Sequence, residues 1–206
     1  MAKSTIHPRV WKRIAPALGE MDAASLRALV HNLYQLAPEN RAFLAAWIGD
    51  EDALGECLQA YKKQISGQFY SRTWPRLQGG CDFGLCKRLI QEYRRITTSS
   101  AMVGGFDVRG TIDLSLHLIE VGTQYVNDIG WHAEEPYEQL TEVADGLSEL
   151  IRTPGGQRWA GSFQPRVRAV AEVTNGFGYG YGDALSDMAQ YFEDAAASFQ
   201  RKQRRP

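Results

Sequence analysis

This 206-residue chain has little from which to build disulfide cross-links: its three cysteines, Cys57, Cys81 and Cys86, are few and odd in number. That count fits a reducing cytosol better than an extracellular disulfide framework. An excess of charge of one sign is also missing. Lys and Arg total 23 against 24 Asp and Glu, a formal net charge of -1. The chain as a whole therefore has no electrostatic reason to seek nucleic acid or an anionic membrane. Long apolar runs are absent too. The densest stretch, Ile112 to Val121, is broken by Asp113, Ser115, His117 and Glu120, well short of the roughly 18 apolar residues that a membrane span needs. The opening residues Met1 to Pro8 lack the apolar centre of a signal peptide. Together these point to a cytoplasmic protein with no membrane partner.

Common catalytic signatures are missing as well. There is no G-x-x-x-x-G-K-[ST], no H-E-x-x-H and no G-x-S-x-G. The glycine-rich stretch Gly176-Phe177-Gly178-Tyr179-Gly180-Tyr181-Gly182 has a period of two. A dinucleotide fingerprint instead needs G-x-G-x-x-G following a strand. It reads as a helix-linking turn with packed aromatics, a ligand-binding loop being the alternative. Cys81 and Cys86 would need two further N or S ligands for tetrahedral zinc; Cys57 could be a third and a histidine would have to arrive from afar, so buried or incidental thiols are the simpler reading. No metal or cofactor is expected.

What is present is helical periodicity. Hydrophobic residues make up 44% and charged residues 23%, the proportions of a globular domain. Behind Asp22 as N-cap, Leu26, Leu29, Val30, Leu33, Tyr34 and Leu36 recur at three and four residues. Pro38 ends that helix, and Phe43, Leu44, Trp47 and Ile48 mark a second, closed by Gly49. Asp50-Glu51-Asp52 opens a third, its carboxylates placed where the helix dipole favours them. Residues 66–84 read as loop. A fourth helix spans 85–98, and a fifth spans 111–128 with two apolar stripes, as for a central helix buried on two sides; a strand over 112–118 is the alternative. A sixth starts near Glu134, a seventh at Gln164-Pro165, and an eighth follows the Gly-aromatic segment. The fold class expected is all-α, with about eight helices in an irregular bundle or short helical-repeat-like superhelix. It forms a single domain over 1–206, with 1–20 and 200–206 as loosely ordered ends.

The segments Leu33-Tyr34-Gln35-Leu36-Ala37-Pro38-Glu39-Asn40-Arg41-Ala42-Phe43-Leu44, Tyr93-Arg94-Arg95, Glu120-Val121-Gly122-Thr123 and Gly178-Tyr179-Gly180-Tyr181, with Asp183 and Leu185, occur in that order. Taken together they resemble a bacterial all-helical domain-of-unknown-function family over most of residues 20–195. The Cys-containing loop between Gly67 and Gly84 departs from the pattern. The resemblance implies a helical fold and carries no catalytic residues.

Charge layout stands above background. Residues 60–99 hold eight basic residues against two acidic, and residues 101–157 hold ten acidic against two basic. Lys87, Arg88, Gln91, Arg94 and Arg95 form one polar stripe on the fourth helix. With Lys62, Lys63 and Arg72 they are the candidate binding residues, and an acidic protein is the expected partner. Nucleic acid is the alternative, with Phe69, Tyr70 and Trp74 as stacking rings. A solvated face, or pairing of the two charged blocks within the fold, would also explain the pattern. His117 and Glu120, one turn apart, with Tyr125 and Asp128 further along, form either a satisfied core network or an acid/base pair. His132 with Glu134, Glu135 and Glu138 reads as a solvated helix start. A non-catalytic helical interaction module is the leading functional expectation.

Overall fold

In a computed structural model the chain is described over residues 8–71, 74–76, 80–98, 107–130 and 134–203. It is all-α. The helices are α1 Pro8–Gly19, α2 Ala23–Leu36, α3 Pro38–Ile48, α4 Glu51–Phe69, α5 Phe83–Thr98, α6 Val108–Ile129, α7 Glu134–Arg152, α8 Pro154–Gln157, α9 Ala160–Val173 and α10 Tyr181–Gln203. Between α4 and α5 the two-residue strands β1 Tyr70–Ser71 and β2 Trp74–Pro75 pair antiparallel.

Helix α6 organises the molecule. Ile112, Leu114, Leu116, Leu118 and Ile119 are fully buried, so both apolar stripes are covered and the strand alternative is settled in favour of helix. One side of α6 packs against α4 and α5, with α3 lying on that pair; the other packs against α7 and α9, with α10 closing the layer. Asp107 caps α6 by accepting from the Gly110 amide at 2.9 Å, and Tyr93 of α5 donates to the same carboxylate at 2.6 Å. Gly130, in the left-handed region at φ 60°, ends the helix with its amide on the Asn127 and Val126 carbonyls.

Several boundaries differ from expectation for identifiable reasons. Residues 8–19, expected among the loose ends, form α1, and α10 continues to Gln203. α8 is a single turn opened by Thr153, which accepts from the Gly156 amide at 3.1 Å, with Pro154 at the first helical position. α9 starts five residues before Pro165. Burial of Ala160 and Phe163 offsets the one backbone hydrogen bond that the proline removes. α4 carries on into the expected loop because Phe69 inserts into the core against Phe83 and Tyr125.

Candidate functional site

The basic stripe of α5 exists because the helix is strongly two-sided. Phe83, Cys86, Leu89, Ile90, Tyr93 and Ile96 point inward, which leaves Arg88, Gln91, Arg94 and Arg95 exposed. Beside that stripe lies a groove of about 180 Å³ between α5 and α7, floored by α6. Lys87, Gln91 and Arg94 form one wall, Glu142 and Gly146 the other, and Ile90, Leu147 and Leu150 give it an apolar interior. Thr111 and Ser115 of α6 lie at the bottom. The groove opens toward a shelf made by Gln91, Arg94, Arg95 and Thr98.

The structure divides the sequence-predicted cations. Lys87 reaches across the groove to Glu142 at 2.5 Å, and the exposed Arg88 lies 3.6 Å from the exposed Asp82. Arg94 and Arg95 sit on the outer face, and Lys63 is exposed on α4. Lys62 is a correction to the surface patch: its side chain is only 17% exposed and pairs with Asp113 of α6 at 2.8 Å. Among the described residues the basic and acidic blocks meet at the largely buried Lys62–Asp113 pair and, across the groove, at Lys87–Glu142. Arg72, His132 and the side chain of Trp74 lie outside the described residues. Glu142, Gly146, Thr111 and Ser115 join the site without a sequence signal, because they arrive from helices far along the chain.

The polar side of α6 that carries His117 is a separate place. Thr111 and Ser115 fall on one face of the helix, whereas Asp113, His117 and Glu120 fall on the opposite one. Arg166 of α9 holds Glu120 through Nε at 2.8 Å and a second nitrogen at 2.7 Å, and donates to Asp113 at 2.5 Å. His117 Nε2 lies 2.9 Å from Ser66 Oγ and 3.2 Å from the Lys62 carbonyl. Burial, and then the Lys62 ammonium, push the His117 pKa below its ordinary value, so the ring is neutral near pH 7. Burial alone would raise the Asp113 pKa, but hydrogen bonds from Lys62 and Arg166 outweigh it and leave the pKa lowered. Glu120 is committed to Arg166, so it forms no acid/base pair with His117. The cluster ties α4, α6 and α9 together and is the satisfied network of the two readings.

The remaining motifs pack within the fold. Phe177, Tyr179 and Tyr181 gather around Tyr137 of α7 with ring centroids 6.2, 5.6 and 5.7 Å away. Tyr181 and Thr123 of α6 share a 2.6 Å hydrogen bond. The turn passes through the left-handed region at Gly176, Tyr179 and Gly180. Tyr70 donates to Asp128 at 2.8 Å, which absorbs the carboxylate at the end of α6. The three thiols are free, and burial raises the pKa of each, that of Cys86 to about 12. Among the described residues no three His, Cys, Asp or Glu side chains converge as for a metal ion. Among the same residues, no helix is long and apolar enough to cross a membrane.

No family model, curated protein or solved structure matches this chain.

Proposed function

We propose that this protein is a non-catalytic helical interaction module that seats a segment of an acidic protein partner along α5. The observation that carries the reading is the pairing of an exposed Arg88/Arg94/Arg95 ridge with a groove of partly apolar lining directly beside it. A partner helix or extended segment would set carboxylates on the guanidinium ridge and one aliphatic side chain between Ile90, Leu147 and Leu150. At about 180 Å³ the groove is smaller than the roughly 300–1,000 Å³ typical of small-molecule sites, which favours a side chain over a substrate or cofactor. Nucleic acid fits less well: Glu138, Glu142, Asp145 and Glu149 form an exposed acidic edge on α7 that an evenly charged phosphate backbone must face, whereas a peptide can keep its carboxylates on the α5 side.

The test is fluorescence anisotropy with the full chain and two probes, a labelled Leu-containing Glu-rich peptide and a labelled single-stranded oligonucleotide. Peptide binding that weakens roughly tenfold or more in Arg94→Glu/Arg95→Glu supports the reading. Binding of the oligonucleotide alone, with a steep salt dependence, transfers it to nucleic acid. A pull-down split with and without nuclease gives the same discrimination with natural partners.

A further inference from the structure

The N-terminal helices leave apolar side chains uncovered, none of which lines the α5 groove. Helix α2 has no buried residue, yet Val30 and Leu33 are each 44% exposed and Leu36 is 77% exposed, with Tyr34 beside them. Helical spacing puts these side chains on one face with the half-buried Leu26 and Leu29. Among the described residues α2 packs chiefly on α3, pinned at the corner where Asn40 donates to the Leu33 carbonyl at 2.7 Å and Arg41 to that of Tyr34 at 3.1 Å. α1 adds the exposed Val10, Trp11 and Ile14 along one stripe, and α3 adds Trp47 and Ile48 at its end. A 14-residue helix with nothing buried is marginal in water, because helices in proteins are held chiefly by packing of an apolar face.

We infer that a second copy of this chain covers this face, giving a two-fold dimer built on α2 and flanked by α1 and the end of α3. Area is the first argument. The exposed apolar side chains of α1 to α3 together leave on the order of 1,000 Å² open to solvent, and an ordinary dimer buries about 800 Å² per partner, so these helices carry enough apolar surface to build one. Charge is the second. Residues 1–36 carry five basic and two acidic side chains, whereas residues 37–60 carry five acidic and one basic. In a two-fold pair the basic 1–36 segment of one copy complements the acidic 37–60 segment of the other. The same acidic residues argue against an anionic lipid surface as the occupant.

Sedimentation velocity on the full chain across roughly 1–100 µM tests this directly, and it needs no ligand for the α5 groove, so failure of the groove reading leaves the outcome untouched. The expected result is a species of twice 23.0 kDa. In Leu33→Glu/Leu36→Glu, both positions being exposed in the monomer, its dissociation constant should rise about a hundredfold or more. Hydrogen exchange gives an independent readout: α2 amides should gain protection with protein concentration in wild type and not in the double variant. A wild-type monomer throughout that range overturns the inference, as does a dimer indifferent to Leu33→Glu/Leu36→Glu. Co-sedimentation of a monomer with phosphatidylserine vesicles also overturns it and assigns the face to lipid.

Discussion

Arg166 ties α9 to α6, since its one guanidinium meets Glu120 with two nitrogens and Asp113 with a third contact. Arg166→Met would leave both carboxylates on α6, with Lys62 able to serve only Asp113. Because the Arg166 side chain is 36% exposed, the full penalty for a broken buried pair is discounted, and a loss of about 2 kcal/mol is expected in urea titration. Arg166→Lys should recover part of it, because it restores the charge without the planar fork. His117 sets a pH dependence in the same cluster. Its folded pKa lies below the ordinary 6.5, so the unfolded chain binds the proton more readily, and stability rises with pH through that window. The contribution is complete above about pH 6.5 and is lost as pH falls through the depressed folded value. Wild-type urea midpoints should therefore fall between pH 7.5 and 5, and those of His117→Gln should fall less. Asp113, whose folded pKa is also lowered, loses its contribution only below about pH 4, which keeps the two windows apart.

At the scale of elements, two glycines separate helix propensity from packing. Gly122 lies where α6 meets α7, and a Cβ there would stand 2.7 Å from Cδ2 of the fully buried Leu140. Gly122→Ala should be destabilising by about 1 kcal/mol, the overpacking exceeding the helix-propensity gain. At Gly146 on α7 a Cβ would meet nothing within 4 Å, so Gly146→Ala should stabilise by about 0.5–1 kcal/mol in thermal or urea unfolding. It also lines the groove, so Gly146→Gln should leave the fold intact and weaken the acidic-peptide binding proposed for α5. The same local chemistry explains what could be read from the sequence. The core faces of α5, α6 and α7 follow from periodicity, and Asp22 and Asp50 cap α2 and α4 through side-chain oxygens on Ser25 and Ala53 as their spacing implies. The stripe Val10, Trp11, Ile14 and Leu18 carried the signal for α1, and Thr153-Pro154 that for α8. What periodicity does not contain is which helices become neighbours. The pairs Lys87–Glu142 and Lys62–Asp113 join residues more than fifty apart, so the basic stripe reads as one continuous surface until the fold withdraws Lys62 from it.

The whole molecule has two stabilities. From α4 to α10 the helices close around α6, whose Leu114, Leu116, Leu118 and Ile119 are wholly buried. α2 buries nothing, and α3 is its link to that body through the fully buried Ala42 and the packing of α3 on α4 and α5. Backbone hydrogen bonds in α1 and α2 consequently lie next to water, while those of α6 open only when the core does. Native-state hydrogen exchange at low micromolar concentration should therefore find α6 amides exchanging only through global unfolding and α2 amides through a much smaller opening. Protection of α2 should rise with concentration, because association adds free energy to the native state by mass action and opening the arm gives it up. Concentration-dependent protection of α1, α2 and the end of α3 that Leu33→Glu/Leu36→Glu abolishes would mark those helices as the part of the fold completed by a partner copy. Equal protection of α2 and α6 in a dilute monomer would mean that the arm is held by the body alone, and the apolar face would then have no stability to gain from being covered.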